Sequence, residues 1–261
     1  MAVSAGAGIP VTGVFAAEVR AGLAAHACPT NAAGMQRYMK TDMPFYGVNA
    51  PVVAEVLREV LRRHPIRDRE TLESVVRELV EGAERREEWY VAAGLLKRPA
   101  CLKLLAAESL DLIACFAATG AWWDIVDSLT KPVAHLLVTH RDQSEPLIRS
   151  WIKGVHQGVE PAIRAGRSAV PEEPSLWLRR LAIICQLGLG EQTDLVLLTD
   201  GVEAVQDESD FFLRKAIGWA LREYSKTDGA WVRAFVDTHP RLSPLSRREA
   251  LRWLERRAPP R

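Results

Sequence analysis

Apolar residues recur at spacings of three and four in short stretches closed by proline or glycine, and no sustained period-two alternation runs through the 261 residues. A chain patterned this way buries its apolar surface by laying short amphipathic helices against one another. The spacing therefore predicts an all-α protein. The clearest stripe lies over 49–64, where Val52, Val53, Val56, Leu57, Val60 and Leu61 share a face, Asn49 is placed to cap, Pro51 sits in the first turn and Pro65 closes the helix. A second helix starts at Asp68 or Thr71, with Leu72, Val75, Val76 and Leu79 inward and Glu and Arg outward. Further helices are expected over 87–97, 108–119, 121–129, 132–140, 145–153, 175–187, 193–205, 210–224, 227–238 and 244–257, punctuated by Gly120, Gly188 and Gly190. The last has two possible starts a turn apart, at Ser243-Pro244 or at the capping box of Ser246 and Glu249.

Around a dozen short helices with short connections is the pattern of an α-solenoid, in which helix pairs stack with a repeat of about 40 to 47 residues. An irregular α-bundle satisfies the same helix count. The chain reads as a single domain, 1–261, broken at 154–174, where three glycines and three prolines in 21 residues predict a loop insertion.

At 48% apolar, the composition supports a core without disulfide or metal. Cys28, Cys101, Cys115 and Cys185 are scattered, with no CxxC and no histidine at ligand spacing, so neither a zinc site nor a disulfide framework is expected, and no cofactor. Apolar stretches are broken by charge well before the roughly 18 to 20 residues a membrane span needs, and the N-terminus lacks a signal pattern. A cytoplasmic protein is expected, and a monomer, since no heptad or apolar surface stripe stands out. The net charge of +1 hides an asymmetry: residues 210–261 hold 12 Lys and Arg against 6 Asp and Glu, leaving −5 for the remainder. A basic region hints at a polyanionic partner, although a solvated helix face produces the same surplus.

Within 121–129, Trp123 and Asp127 stand four apart on one helix face, while Trp122 and Val126 turn elsewhere. Taken alone, that is a core indole beside a surface carboxylate. In 175–187, Leu178, Leu181, Ile184 and Cys185 form a stripe with Arg180 beside it, whose plain reading is a snorkelling arginine. In 210–224, Phe212, Ala216, Ile217 and Ala220 look like core, whereas Trp219 shares a side with Lys215, Arg222 and Glu223. Arg180 and Trp219 are 39 residues apart, about one solenoid repeat, and equivalent positions in successive repeats face the same way. Trp123, Asp127, Arg180 and Trp219 are thus candidates to line one concave surface beside the basic C-terminal end.

The segments QRYMKTDMPFYGVNAP (36–51), WWDIVD (122–127), LWLRRLAI (176–183), DFFLRKAIGWALREYSKT (210–227) and LSPLSRREAL (242–251) closely resemble the AlkD-like DNA alkylation-repair glycosylases. They occur in the family's order, and the resemblance covers about residues 31 to 254. It implies a HEAT-like α-α superhelix whose concave basic face holds duplex DNA, and excision of N3- and N7-alkylated purines without flipping the base into a pocket. It also implies that Asp127 is the catalytic carboxylate, that Trp123 and Trp219 flank the lesion, that Arg180 grips the backbone, and that Tyr38 is the family's tyrosine. Lys215, Arg222, Arg247 and Arg248 are further candidates for phosphate contacts. The 154–174 stretch is longer than expected between the carboxylate and arginine motifs, which bears on substrate range rather than reaction type.

Alkylation at N3 or N7 makes the purine a cation and a good leaving group, so the general acid usual in glycosidic cleavage can be omitted. One carboxylate beside C1′ then stabilises the oxocarbenium-like sugar and orients water, while indole faces pack on the cation. No lysine is placed to form a Schiff base, so a monofunctional glycosylase leaving an abasic site is expected. Arg164, Arg167 and His156 in the insertion are placed to favour bulky minor-groove adducts, as in relatives that protect antibiotic producers from their own DNA-alkylating products. Two alternatives come from other classes: a non-catalytic repeat protein that binds damaged or branched DNA, and a protein-binding scaffold.

Overall fold

The computed structural model describes residues 11–155 and 175–257. All but the first two residues of the expected insertion, and with them His156, Arg164 and Arg167, lie outside the described residues. The described residues are all-helical, with fifteen α-helices, one 3-10 turn at Gly190–Gln192 and no strand among them. They fall into two compact units, divided after Leu105 and taken in turn.

The first unit holds α1 (Val11–Ala25), α2 (Pro29–Met39), α3 (Ala50–Arg63), α4 (Arg69–Glu81), α5 (Arg86–Leu96) and α6 (Pro99–Leu102). The stripe read from the sequence is the core of α3: Val53, Val56, Leu57 and Val60 are buried, and the Asn49 side chain accepts from the Val52 N–H at 3.2 Å. Both residues expected to start α4 take part in its cap, Asp68 accepting from the Thr71 N–H at 2.8 Å. Helix α1 packs on α3 and α4, and α5 covers both of those.

The stretch between α2 and α3 carries much of the 36–51 motif and has no helical bonding of its own. Helix α5 fixes it. Glu87, fully buried, accepts from the backbone N–H groups of Tyr46, Gly47 and Val48 at 2.9, 2.8 and 3.0 Å. Glu88, equally buried, takes Arg20 Nε at 2.8 Å and the N–H groups of Glu84 and Arg85 at 3.1 and 3.0 Å. Charges this deep persist because donors meet them. Gly47 is required in the turn: its φ is +83°, and a Cβ there would strike the Cys28 carbonyl and lie 2.7 Å from Ala32 N.

The second unit holds α7 (Ser109–Gly120), α8 (Trp123–Ser128), α9 (Thr130–Thr139), α10 (Arg141–Ile152), α11 (Leu176–Ile184), α12 (Leu195–Glu203), α13 (Phe211–Tyr224), α14 (Gly229–Thr238) and α15 (Pro244–Arg257). Helices near in sequence pack together, α10 on α11, α11 on α13 and α13 on α15, as in a helical-repeat stack. A core of Ile183, Ile184, Leu198, Val202, Ile217 and Leu221 joins α11, α12 and α13. Helix α10 begins four residues earlier than expected and takes Pro146 into its second turn. The carbonyl that Pro146 leaves without an N–H belongs to exposed Asp142, where water can replace the lost bond. The ambiguity at α15 resolves to Pro244, with Ser243 Oγ accepting from the Ser246 N–H at 3.0 Å.

Candidate active site

The site begins with a sharp reversal between α7 and α8. Ala121 ends α7 in the left-handed conformation, φ 34° and ψ 39°, which costs a non-glycine residue about 1 kcal/mol. Gly120 just before it is needed for space, since a Cβ there would lie 2.6 Å from Ile125 Cγ2. The reversal lets the short helix α8 bury Ile125 and Val126 while Trp123 and Asp127, one turn apart, stay half-buried.

Arg180 meets that carboxylate. Its Nε donates to Asp127 Oδ1 and its Nη2 to Oδ2, both at 2.8 Å, and its Nη1 donates to the Phe212 carbonyl at 2.7 Å. The snorkelling alternative fails, because Arg180 is only 4% exposed, among buried Leu178, Leu181 and Ile184. Its fork instead ties three helices together: α8 through Asp127, its own α11, and the first turn of α13. Burial pushes the Asp127 carboxyl above the usual aspartate range; the Arg180 hydrogen bonds and charge pull it down without cancelling that rise, and Asp124 adds a smaller upward push.

The start of α13 is fixed by Asp210, which accepts from the N–H groups of Phe212 and Leu213 at 2.7 and 3.0 Å. Trp219 follows Phe212 by two helical turns, on the same face and about 10 Å along the axis. Trp219 is half-buried against the unit's core. Phe212 departs from the expected core role. It too is half-buried, and its ring packs on Trp122 and Trp177 at centroid separations of 5.2 and 5.1 Å.

The basic candidates divide. Lys215 and Arg222 both turn to Glu249 of α15, Lys215 at 3.1 Å from Oε1 and Arg222 on the other oxygen, with Arg252 at 3.8 Å. Burial pushes the Glu249 carboxyl up, but Lys215 and Arg222 outweigh it and hold the group below its usual range. Arg247 donates to the His239 carbonyl at 2.8 Å, and Arg248 is exposed. Tyr38 lies exposed on α2, in the first unit. The sequence reading missed Glu249 as a charge partner because its spacing from Ser246 suggested a capping box. In the structure Ser246 Oγ donates to the Arg214 carbonyl at 3.0 Å, which frees Glu249 for the cations of α13.

Helices α13 and α15 approach closely at Gly218, the residue before Trp219. A Cβ there would lie 3.1 Å from the Ser246 carbonyl and overlap Glu249 Cβ. Gly218→Ala is expected to lower stability by about 1 to 3 kcal/mol in urea unfolding, as overpacking does. An unchanged midpoint would mean that the two helices part without cost.

Among the described residues, no three His, Cys, Asp or Glu side chains gather as metal ligands would. None of their helices is long and apolar enough to cross a membrane.

Fold and site together define an all-helical repeat protein with a carboxylate–guanidinium pair set among aromatic rings. The sequence profile of the DNA alkylation repair enzyme family matches residues 19–157 and 161–254, and the chain belongs to that family. Its role therefore lies in the repair of alkylated DNA. A solved structure described as a predicted DNA alkylation repair enzyme from Enterococcus faecalis is similar, with a TM-score of 0.70 and 28% identity over 87% of this chain and 96% of that one. No curated protein matches.

Proposed function

We propose that the protein is a monofunctional DNA glycosylase that hydrolyses the N-glycosidic bond of N3- and N7-alkylated purines in duplex DNA, the base remaining outside any pocket. The carrying observation is Asp127, held by Arg180 on the same short helix as Trp123. The cationic base leaves without a proton donor, and Asp127 stabilises the positive charge growing at C1′ and orients the attacking water. Trp123 and Trp219 present electron-rich faces to the cationic sugar or base, each contributing about 0.5 to 2 kcal/mol.

Arg180 has two tasks in this reading. Three of its N–H groups fix Asp127 and the start of α13; the other two are what it can offer a phosphate. Arg248 and Tyr38 are further backbone contacts, and Lys215, Arg222 and Arg247 act there only by leaving their present partners. In this reading the protein acts as a monomer, and its HEAT-like helical repeats receive the duplex on a basic face. Because the base is not engulfed, bulky minor-groove adducts of genotoxic natural products are also substrates, which would give an organism making such compounds self-resistance.

The non-catalytic alternative gains one observation, that Arg180 engages both carboxylate oxygens of Asp127. Each oxygen accepts a second hydrogen bond, however, and the Asp127 side chain keeps 18% of its surface, enough for a water or a sugar edge. The test is release of free base from a duplex carrying one N7-methylguanine, corrected for spontaneous depurination. Release above that background is expected. Salt-sensitive duplex binding without release, on this substrate and on N3-methyladenine, would establish the non-catalytic reading instead.

A further inference from the structure

Helix α13 sets two cations around its candidate site indole. Lys215, Trp219 and Arg222 follow one another by four and three residues, so they share a face, with Lys215 one turn before the ring and Arg222 one turn after it. That is an awkward setting for the proposed chemistry. A ring that packs on a cationic purine or sugar works best with no other positive charge against it, and an ammonium or guanidinium at these spacings can itself cover an indole face.

The structure turns both cations to Glu249 of α15. Lys215 Nζ lies 3.1 Å from Oε1, Arg222 Nη1 meets Oε2, and Arg252 stands at 3.8 Å. Gly218, the residue beside Trp219, makes room for this carboxylate, since a Cβ there would lie 2.4 Å from Glu249 Cβ. Gly218 is three residues after Lys215 and four before Arg222, so an anion placed over it is within reach of both. The Glu249 side chain is only 10% exposed, whereas those of Lys215 and Arg222 keep 36% and 25%. The anion is thus the fixed member of the cluster and the cations are the adjustable ones. Glu223, four residues after Trp219, has its own carboxylate on Lys226 at 2.5 Å, so compensation of Lys215 and Arg222 falls to Glu249. Stability alone is a weak reason for the arrangement, because desolvation offsets the attraction within a buried ion pair.

We infer that Glu249 is a positioning residue for the site: it holds Lys215 and Arg222 off the face of Trp219 and offsets their charge, so that the ring stays open to a cationic nucleotide. The inference rests on the DNA-repair reading of the site and deepens it, because it assigns part of the site's preference for positive charge to a residue that touches neither base nor sugar. Without the carboxylate, Lys215 and Arg222 are free to meet duplex phosphates, and they also oppose any positive charge brought to Trp219. Glu249 therefore limits general affinity for duplex while raising selectivity. Loss of its charge strengthens binding to DNA as such and weakens the preference for a cationic site. A carboxylate that only tied α13 to α15 would move both quantities in the same direction.

The experiment uses the full chain and two duplexes, one carrying a pyrrolidine abasic-site analogue, which is cationic at neutral pH, and the other the neutral tetrahydrofuran analogue. Neither is excised, so the ratio of the two affinities reads charge preference without chemistry. Wild type is expected to bind the pyrrolidine duplex about tenfold more tightly. Glu249→Gln, which nearly keeps the shape of the side chain, should bind the tetrahydrofuran duplex several-fold more tightly than wild type, with a steeper salt dependence, and cut the ratio by about three- to tenfold. Adding Lys215→Gln to Glu249→Gln removes one uncompensated cation and should recover at least half of the lost preference, a repair that a merely structural defect would not undergo. An unchanged ratio in Glu249→Gln, a wild-type ratio near one, or an equal weakening on both duplexes that Lys215→Gln does not repair overturns the assignment. If wild type released no N7-methylguanine while the ratios behaved as expected, the glycosylase reading would fail and the role of Glu249 would stand.

Discussion

Asp127→Asn is expected to slow release of N7-methylguanine by about 100- to 1,000-fold while changing duplex affinity only a few-fold. The substitution nearly preserves shape and removes the one negative charge proposed to face C1′, and loss of one such group typically costs about 3 to 4 kcal/mol in the transition state. Single-turnover rates at saturating enzyme separate this from binding. The pH dependence supplies a second signature. Burial raises the Asp127 carboxyl above its ordinary value near 4, and only the ionised form serves. The rate should therefore fall as pH drops through a limb lying above the ordinary aspartate range, and Asp127→Asn should remove that limb from its residual rate. For folding the sign is opposite: a raised carboxyl favours the protonated fold, so this group's contribution to stability is full below the unfolded value and lost as pH rises through the folded one. Catalysis and stability thus make opposite demands on this side chain. Retention of wild-type rate by Asp127→Asn would mean that the carboxylate organises the helices and takes no part in cleavage.

How far the sequence disclosed this site depends on which physical signal each residue leaves. Helix α3 was fully legible, because six aliphatic residues at helical spacing, a capping Asn49 and a closing proline all agree. Helix α1 was not expected: it buries Phe15, Val19 and Leu23, but its alanines and glycines blur the stripe. Helix α2 buries only Met39 within its length, and α6 is four residues long, so neither has a period to read. Asp127, Arg180 and Trp219 stood out as polar or aromatic residues on apolar helices and through the family resemblance. Their linkage did not. Nothing local says that Arg180 spends its fork on Asp127 and on the backbone of α13, because the partners lie 53 and 32 positions away. The same non-locality hid the buried carboxylates of α5. Glu87 and Glu88 look like ordinary acidic residues in a first turn, and only the fold brings backbone N–H groups and Arg20 to them.

That linkage makes Arg180 the second residue whose loss should be felt most widely. Arg180→Ala is expected to lower stability by about 2 to 4 kcal/mol, since removing one partner of a buried ion pair strands the other. The cost has a ceiling, because Asp127 can take up a proton. Without the guanidinium the remaining influences, burial first and Asp124 second, both push the carboxyl up, so the acid limb of the rate should move to still higher pH. Arg180→Lys should not restore the wild-type profile: a single ammonium lacks the planar fork that meets both carboxylate oxygens and the Phe212 carbonyl together. The double variant Arg180→Ala with Asp127→Asn is the decisive comparison. It leaves no stranded charge, so its unfolding free energy should lie above that of Arg180→Ala alone, a coupling that a purely phosphate-gripping arginine would not produce. If Arg180→Ala instead kept both the stability and the acid limb of wild type and lost only salt-sensitive affinity for duplex, Arg180 would be a backbone contact and Asp127 would hold its position without it.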